Sequence, residues 1–271
     1  MCIIRGLLIR SKQWLMSNDM LIFLGTGTSQ GVPVITCDCE VCRSSDAKNK
    51  RLRTSLYAHI QGVDIVIDAG PDFRQQMIAN NIQNIDIILQ THEHQDHIGG
   101  LDDVRPFNHR KQQAIDLFGE KRCLQAIRRE FAYIFKQNKY PGSPEIALHQ
   151  INTQPFDYKG VHIEPIRVKH WNLPILGFKF GNWAYITDAS YIAPKEMKKL
   201  QNLEVLVINA LQHKQHYSHF TLVQALEIIE KLQPKRAYLT HLSHRLNYEI
   251  EQRNLPENVF FAYDGLVVTA P

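Results

Sequence analysis

The most constraining feature of this sequence is a ten-residue loop that holds three histidines and an aspartate within six positions. It reads Thr-His-Glu-His-Gln-Asp-His-Ile-Gly-Gly over residues 91–100 and follows the largely apolar run 85–89. Imidazole nitrogens and carboxylate oxygens suit Zn, Mn or Fe, and the glycine pair permits the tight turn that lets one loop face two ions. If the loop were histidine-rich by chance, the preceding apolar run and the glycine pair would have no explanation. The pattern therefore predicts a two-metal hydrolytic site, and an enzyme.

Composition narrows the class of protein. The chain has 271 residues, of which 44% are hydrophobic and 21% charged, as is ordinary for a globular protein with a substantial core. The formal charge of +4 favours a phosphate-bearing substrate but falls far short of a dedicated nucleic-acid binder. No apolar run approaches the roughly 20 residues of a membrane-spanning helix.

Cysteine usage and the N-terminus both indicate a reducing, cytoplasmic setting. Three of the five cysteines crowd together as Cys37, Cys39 and Cys42, a spacing typical of metal ligation rather than of a secreted disulfide framework. Residues 1–19 carry scattered basic side chains that interrupt any signal-peptide core. An organellar presequence would also be basic, but we interpret this stretch as an N-terminal tail without assigned role, followed by a single domain over 20–271.

Polar side chains follow predicted strands at several places along the chain. Five strand-like runs each lead to a residue or loop that can bind metal: 63–67 to Asp68, 85–89 to the histidine loop, 161–168 to His170, 183–186 to Asp188, and 236–239 to His241. We expect one edge of a sheet to collect them all.

Three further segments have a predicted structure. Residues 221–232 form an amphipathic helix with Thr221 or Ser218 as its cap and Pro234 as its stop. The aromatic-rich region 115–140 also fits a helix. Residues 259–269 have the pattern of a hairpin that turns at an Asp-Gly pair.

The order of these motifs, His-x-His-x-Asp-His and then His, Asp and His, resembles the metallo-beta-lactamase superfamily of binuclear hydrolases. The resemblance runs from residue 20 to residue 271 and implies an α/β fold, a four-layer αββα sandwich of two mixed sheets flanked by helices. It also implies two divalent ions, Zn or Mn, that share a hydroxide nucleophile. One ion would be held by His92, His94 and His170, the other by Asp96, His97 and His241, with Asp188 bridging both.

Two members of this set need comment. His170 lies beside a tryptophan and shares its predicted strand with His162, so a packed core histidine is the alternative to a ligand. Asp68 resembles the aspartate of the family's first motif. That aspartate orients the metal loop by hydrogen bonds and does not bind metal, and we expect the same here.

The cysteine cluster predicts a second type of metal site. Cys37, Cys39 and Cys42 offer three thiolates, and His244 is the candidate fourth ligand of a closed, structural zinc site. This pairing with a histidine three residues beyond His241 resembles the cyclic phosphodiesterases of the carbon-phosphorus lyase pathway and their relatives. A redox pair is the alternative. It is disfavoured because no helix signal follows the first cysteine of the pair and because a third thiol precedes it.

The glycine-rich stretch 25–31 does not predict a nucleotide site. It lacks the lysine of a phosphate-binding loop and no helix follows it, so we interpret it as a tight turn. For the nearby Arg51, Arg53, Thr54 and Ser55, two interpretations stay open: approach to a substrate phosphate, or a solvated basic face.

His219 is the candidate proton donor. It precedes the helix 221–232 at the distance from His241 where the phosphodiesterase relatives place a histidine that is not a ligand. A positioned imidazolium there could protonate a departing alkoxide or stabilise the transition state. His216 and His213 compete for this role, and a capping or surface histidine is the alternative. His59, His109 and His149 are expected to be structural or exposed.

These features favour a metal-dependent phosphodiesterase that opens a small cyclic phosphate or related diester, with Asp96, Asp188 and His219 in its catalytic machinery. The resemblance points to a phosphoribosyl cyclic phosphate as model substrate. Alternatives are a ribonuclease Z-like RNA-processing nuclease, whose long exosite arm is not evident here, a thioester hydrolase, and a catalytically silent metal-binding protein. The expected partner is a small phosphodiester rather than nucleic acid or a membrane, and a homodimer is compatible with the sequence.

Overall fold

The computed structural model describes residues 19–269. Within that range the chain forms fifteen strands: β1 (Met20–Gly25), β2 (Ser55–Ile60), β3 (Val63–Ile67), β4 (Ile87–Leu89), β5 (Ile115–Glu120), β6 (Ile146–Ile151), β7 (Phe156–Tyr158), β8 (Val161–His170), β9 (Leu173–Phe180), β10 (Trp183–Ile186), β11 (Tyr191–Ile192), β12 (Val205–Asn209), β13 (Arg236–Thr240), β14 (Val259–Phe261) and β15 (Val267–Thr269).

Eight α-helices connect or flank these strands in the same part of the chain: α1 (Glu40–Arg43), α2 (Phe73–Ala79), α3 (Gln95–Ile98), α4 (Arg105–Lys111), α5 (Lys121–Glu130), α6 (Pro194–Met197), α7 (Leu222–Leu232) and α8 (Tyr248–Gln252). None of the helices in residues 19–269 has the length and apolar composition needed to cross a bilayer. The predicted N-terminal tail lies outside the described residues, apart from its last residue.

The strands form two mixed sheets. The first has the order β15-β1-β2-β3-β4-β5-β6, and its strands from β3 to β6 run parallel. The second has the order β11-β8-β9-β10-β12-β13-β14, with β7 also paired to β8, and it is parallel from β10 to β14.

Four layers follow from where the apolar side chains point. Phe23 and Ile65 of the first sheet pack against Phe178 and Tyr185 of the second, which places one core between the sheets. A second core lies between the first sheet and α2, α4 and α5, and a third lies between the second sheet and α7. Burial of both sheet faces explains why strands β3 and β12 are buried along their whole length and consist mainly of apolar residues. The predicted αββα sandwich is confirmed.

Helix α7 matches its prediction at both ends. Thr221 is the cap: its hydroxyl accepts a hydrogen bond from the Gln224 N–H, and the Gln224 side chain bonds the Thr221 N–H in return. The helix ends at Leu232, because Gln233 takes a left-handed conformation before Pro234.

Two sequence predictions were wrong. The region 115–140 starts as strand β5 and becomes helical only in α5, because parallel pairing with β4 and β6 overrides the local helical pattern. Residues 259–269 do not form a hairpin. Strand β14 pairs with β13 in one sheet and β15 pairs with β1 in the other. The chain crosses between the sheets at Asp264, whose carboxylate is bonded to Thr26 and Leu52 rather than closing a two-residue turn.

The polar strand ends meet at one edge of the sandwich, but they come from both sheets and not from one. Strands β3 and β4 of the first sheet deliver Asp68 and the histidine loop. Strands β8, β10 and β13 of the second deliver the other predicted ligands.

Candidate active site

Sharp bends after three strands turn side chains into the site. Asp68, Asp188 and His241 follow β3, β10 and β13, and each has a positive φ, of 63°, 56° and 56° respectively. Residues other than glycine rarely adopt this left-handed conformation, which costs on the order of 1–3 kcal/mol. The surrounding sandwich therefore supports a local strain that aims all three side chains at one place.

The histidine loop is packed tightly against the turn that follows β3. A Cβ on Gly70 would overlap the Asp96 carbonyl, and one on Gly100 would overlap the Gly70 carbonyl. The Gly100 N–H donates to the Ala69 carbonyl at 2.9 Å. Glycine is thus needed at both positions because two backbone segments are in contact there.

The first donor group contains His92, His94 and His170, whose ligand atoms all lie within 4.8 Å of one another. His92 Nε2 is 3.0 Å from His94 Nδ1. His170 Nδ1 lies 2.9 Å from the Asp188 carbonyl and 2.8 Å from the Ser218 carbonyl. Because carbonyls only accept, the His170 proton sits on Nδ1, which leaves Nε2 as a free lone pair. The structure therefore brings His170 to the site and not into the core.

The second donor group contains Asp96, His97, Asp188 and His241, again within 4.8 Å. His97 Nε2 lies 3.3 Å from Asp96 Oδ2 and 3.4 Å from Asp188 Oδ1, and His241 Nε2 lies 3.1 Å from Asp188 Oδ2. Asp188 also joins a third grouping with His170 and His219. Asp188 is thus grouped with imidazoles of both donor groups, as a bridging carboxylate would be.

The donor set fits divalent metal ions. Both His97 Nε2 and His241 Nε2 are buried, and although carboxylate oxygens lie near them, neither atom meets hydrogen-bond geometry with a partner in the described part of the chain. Buried polar atoms without a partner are costly in a native protein and call for an explanation such as an ion. Imidazole nitrogens mixed with carboxylates are the ligands expected for Zn, Mn or Fe.

Asp68 holds the metal loop in place. Its Oδ1 accepts hydrogen bonds from the Thr91 N–H and the Gln90 side chain, both at 2.9 Å. Its Oδ2 accepts from the Thr91 hydroxyl at 2.8 Å and from His97 Nδ1 at 2.7 Å. Because the Nδ1 proton is directed to Asp68, Nε2 is the nitrogen of His97 that faces the second donor group, and it can bind a cation once it has lost its own proton. This arrangement supports the orienting role predicted for Asp68.

Neighbouring charges shift the pKa values of His97 and Asp188 in opposite directions. Burial lowers the pKa of His97, but the carboxylates of Asp188, Asp68 and Asp96 outweigh burial and raise it well above its ordinary value. Burial raises the pKa of Asp188, but His241 and His97 outweigh it and hold that pKa well below its usual range. Asp188 is therefore a carboxylate whenever the protein is folded near neutral pH.

His219 stands beside the donor groups and belongs to neither of the first two. Its ring stacks on His241 at a centroid distance of 4.6 Å, and its Nδ1 lies 3.9 Å from Asp188 Oδ2. Burial, followed by the charge of His241, lowers the pKa of His219 to about 2. The imidazolium expected from the sequence is therefore disfavoured in the free protein, and His219 is a neutral imidazole. The neighbouring ring of His216 lies 5.1 Å away, whereas His213 bonds Glu251 instead.

The cysteine cluster also closes as predicted in space. His244 Nδ1 lies 3.1 Å from Cys37 Sγ, 3.4 Å from Cys39 Sγ and 3.5 Å from Cys42 Sγ. All three thiols are free, and three sulfurs converging on one nitrogen match a tetrahedral zinc donor set. One supporting argument was wrong, since the short helix α1 does follow Cys39, which caps it. The convergence itself disfavours a redox pair.

The structure contradicts a solvated basic face at Arg51 and its neighbours. Arg51 is 2% exposed and donates to the carbonyls of Ser243 and Leu246 at 2.7 and 2.8 Å. Thr54 and Ser55 are buried, and Arg53 is paired with Asp72. These residues brace the loops around the site and do not form a solvated basic face.

Several polar residues of the site had been missed from the sequence. Gln90 and Thr91 are buried and bind Asp68, and Thr187 donates to Asp188 at 2.6 Å. The sequence signal that could have identified Gln90 and Thr91 is their position as a polar pair between the apolar strand β4 and the histidine loop. As expected, His59 and His149 pair with carboxylates away from the site, and His109 is exposed.

Comparison with known proteins decides the family. The model of the beta-lactamase superfamily domain matches residues 64–242. This chain belongs to that superfamily. A solved structure described as a new diphosphatase from the PhnP family is 38% identical, with a TM-score of 0.88 over 94% of this chain and 98% of its own. The superfamily resemblance inferred from the sequence is confirmed.

Two other relatives bear on function. An octanoyltransferase of Porphyromonas gingivalis is 42% identical over 249 residues, which cover 90% of this chain and 50% of that protein. The chain thus spans about half the length of this curated relative. The human tRNase Z, short form, shares the superfamily fold with a TM-score of 0.67 and 20% identity, over 93% of this chain and 99% of its own.

Proposed function

We propose that this chain is a two-metal phosphodiesterase that hydrolyses a small cyclic phosphate or a related phosphodiester. The observation that carries the proposal is the position of Asp188 between two adjoining donor groups. Its carboxylate oxygens lie 3.4 Å from His97 Nε2 and 3.1 Å from His241 Nε2, and it also lies within 4.8 Å of a ring nitrogen of His170. A likeness to a diphosphatase of 38% identity supports phosphate ester chemistry in particular.

The first donor group would hold one divalent cation and the second another, with Asp188 shared. Zn or Mn bound there would act as Lewis acids on the phosphoryl oxygens and lower the pKa of a bound water. The chain's own contribution is to fix the ligands before substrate arrives. Asp68 sets the proton of His97, and two carbonyls set that of His170. Such preorganisation avoids reorganisation at the moment of reaction.

His219 would act on the leaving group. Its Nδ1 is buried without a hydrogen-bond partner among residues 19–269, and it lines the cavity next to His241. An anionic phosphate beside the ring would raise the pKa of His219 from its low value in the free protein. His219 would then donate a hydrogen bond or a proton to the departing oxygen.

The cysteine cluster would hold a third, structural zinc ion. Cys37, Cys39, Cys42 and His244 leave no position for substrate in a tetrahedral site, so its role would be to fasten two loops together. Free thiols that bind zinc persist in a reducing compartment, and we therefore propose a cytoplasmic location.

We do not propose for this chain the acyl transfer for which the Porphyromonas gingivalis relative is named. That protein is about twice as long as the matching region, so its acyl transfer can reside in the other half. Acyl transfer to a cysteine would need an accessible, activated thiol. Cys123, the one described cysteine outside the zinc cluster, is 1% exposed, and burial raises its pKa far above the usual range.

The test combines metal analysis with hydrolysis of bis-p-nitrophenyl phosphate by wild type, Asp188→Ala, His219→Ala and a matched surface control, Asp157→Ala. We expect three metal ions per chain and turnover that is lost in Asp188→Ala but kept in the control. Hydrolysis of RNA oligonucleotides in preference to cyclic phosphates would favour the nuclease instead. No turnover with Zn or Mn would favour a silent metal-binding protein.

A further inference from the structure

An arginine at the start of α5 binds the histidine loop. Arg122 Nε lies 2.6 Å from Glu93 Oε1, and the Glu93 side chain is largely buried. In the sequence Glu93 stands between His92 and His94, two members of the first donor group. The ion pair therefore holds the loop at the point between two proposed ligands of the same ion.

The same guanidinium binds the strand pair that carries the third member of the group. Arg122 Nη2 donates to the Pro174 carbonyl at 2.8 Å. Pro174 is in β9, one position beyond the residue that is paired with His170 of β8. A backbone hydrogen bond from the Leu176 N–H to the Thr91 carbonyl, at 3.2 Å, also joins the two segments. Arg122 thus contacts both segments whose separation sets the geometry of the first donor group.

The first donor group is more exposed than the second. In it His92 is buried, His94 is exposed and His170 is half-buried, whereas three of the four members of the second group are buried. The second group is also held by Asp68, which binds His97 directly. Ligands that the protein core does not fix depend more on supporting contacts for their orientation. A side chain that cross-links the two segments is therefore well placed to determine how tightly the first group binds a cation.

We propose that Arg122 is a positioning residue for the metal ion of the first donor group. This inference rests on the two-metal site proposed above and concerns the affinity of one ion in it. By holding the histidine loop and the β8–β9 strand pair at once, Arg122 keeps three imidazoles within reach of one cation. Its own positive charge disfavours a cation nearby. Positioning and electrostatics therefore predict opposite effects on metal affinity when Arg122 is removed.

The experiment measures zinc affinities by competition with chromophoric chelators in wild type, Arg122→Ala, Arg122→Lys and the control Arg129→Ala. Arg129 is an exposed arginine of the same helix that pairs with its neighbour Glu130. We expect Arg122→Ala to bind one of three ions about tenfold more weakly, at the lower end of the roughly 10- to 100-fold typical for loss of such a support. The other two affinities should be kept. Arg122→Lys retains the charge and one of the two contacts and should recover part of the loss, while the control should match wild type.

A second genetic background identifies the ion that is affected. His94→Ala removes one ligand of the first donor group, so adding Arg122→Ala to it should leave the remaining zinc affinities unchanged. A further loss in that background would show that Arg122 acts elsewhere and would overturn the inference. Equal or tighter binding of all ions in Arg122→Ala would also overturn it, as would an equal loss at all three.

Failure of the proposed function gives different results. A wild type that binds zinc at the cysteine cluster alone would refute the two-metal site, and this inference with it. Three bound ions without turnover of bis-p-nitrophenyl phosphate would refute the proposed activity, and the zinc affinities would still decide the role of Arg122.

Discussion

Replacing Asp68 with asparagine should weaken metal binding even though the side chain is not a proposed ligand. The carboxylate accepts four hydrogen bonds: two at Oδ1, and two at Oδ2 from the Thr91 hydroxyl and His97 Nδ1. An asparagine offers an oxygen for one pair of donors and an NH₂ group for the other. Whichever way the amide turns, donors meet donors on one side.

The consequence for His97 is specific. If the NH₂ group faces Nδ1, the ring must accept there and carry its proton on Nε2, the atom that points at Asp96 and Asp188. That tautomer cannot bind a cation through Nε2. Loss of such an orienting partner typically costs 10- to 100-fold in metal affinity, or about 1.4–2.7 kcal/mol.

Competition with a chromophoric zinc chelator measures this affinity directly. Asp157→Asn is the matched control, because Asp157 is exposed and pairs with His162 alone. Calorimetry of the metal-free proteins separates metal loss from unfolding. If Asp68→Asn bound zinc as tightly as wild type, while melting at a lower temperature, Asp68 would be a structural residue only and the orienting argument would fail.

Four further outcomes are expected. Asp188→Ala should lower the turnover of bis-p-nitrophenyl phosphate by at least about a hundredfold, with an unchanged circular dichroism spectrum. Cys39→Ser should lower the zinc content by one ion per chain and lower the melting temperature, because a structural site contributes folding free energy. His219→Gln should slow diesters with alkoxide leaving groups far more than p-nitrophenyl esters, which need no proton; rates across a leaving-group series test this. Asp86→Asn should reduce the loss in free energy of unfolding between pH 7 and pH 3, as measured by urea unfolding.

The pH prediction depends on the direction in which the pKa of Asp86 is shifted. Burial raises the pKa of Asp86, but the Asp64 N–H, Lys111 and Lys159 outweigh it and lower the pKa below its ordinary value. Asp86 therefore stabilises the fold above its unfolded pKa of about 3.9, and this contribution is lost as the pH falls through the lower, folded pKa. Equal acid sensitivity in wild type and Asp86→Asn would contradict the account, as would full zinc content in Cys39→Ser.

The proposed ligands could be found from the sequence because they either cluster within a few residues or directly follow a predicted strand. The loop 92–97 carries four donors in six residues, and Asp188 and His241 each follow an apolar run. Likewise, the Cys-x-Cys-x-x-Cys spacing identifies three members of one cluster. Spacing of this kind can be recognised without knowing the order of the strands in the sheets.

What the sequence could not show depends on contacts between distant segments. Arg51 and Asp264 look like surface residues, yet Arg51 bonds carbonyls 192 and 195 residues away and Asp264 reaches back to Leu52 and Thr26. The segment 115–120 has helix-compatible residues but becomes β5, because two neighbouring strands supply its hydrogen bonds. In both cases, contacts between distant segments determine the structure, and these contacts cannot be inferred from a local sequence pattern.

Anomalous diffraction at the zinc absorption edge, from crystals grown with zinc, tests the central claim most directly. We predict two adjacent peaks, one among His92, His94 and His170 and the other among Asp96, His97 and His241, with Asp188 contacting both. A third peak should lie within the cysteine cluster. Density at the cysteine cluster alone, with none at the two histidine-rich groups, would contradict the proposal of a two-metal active site.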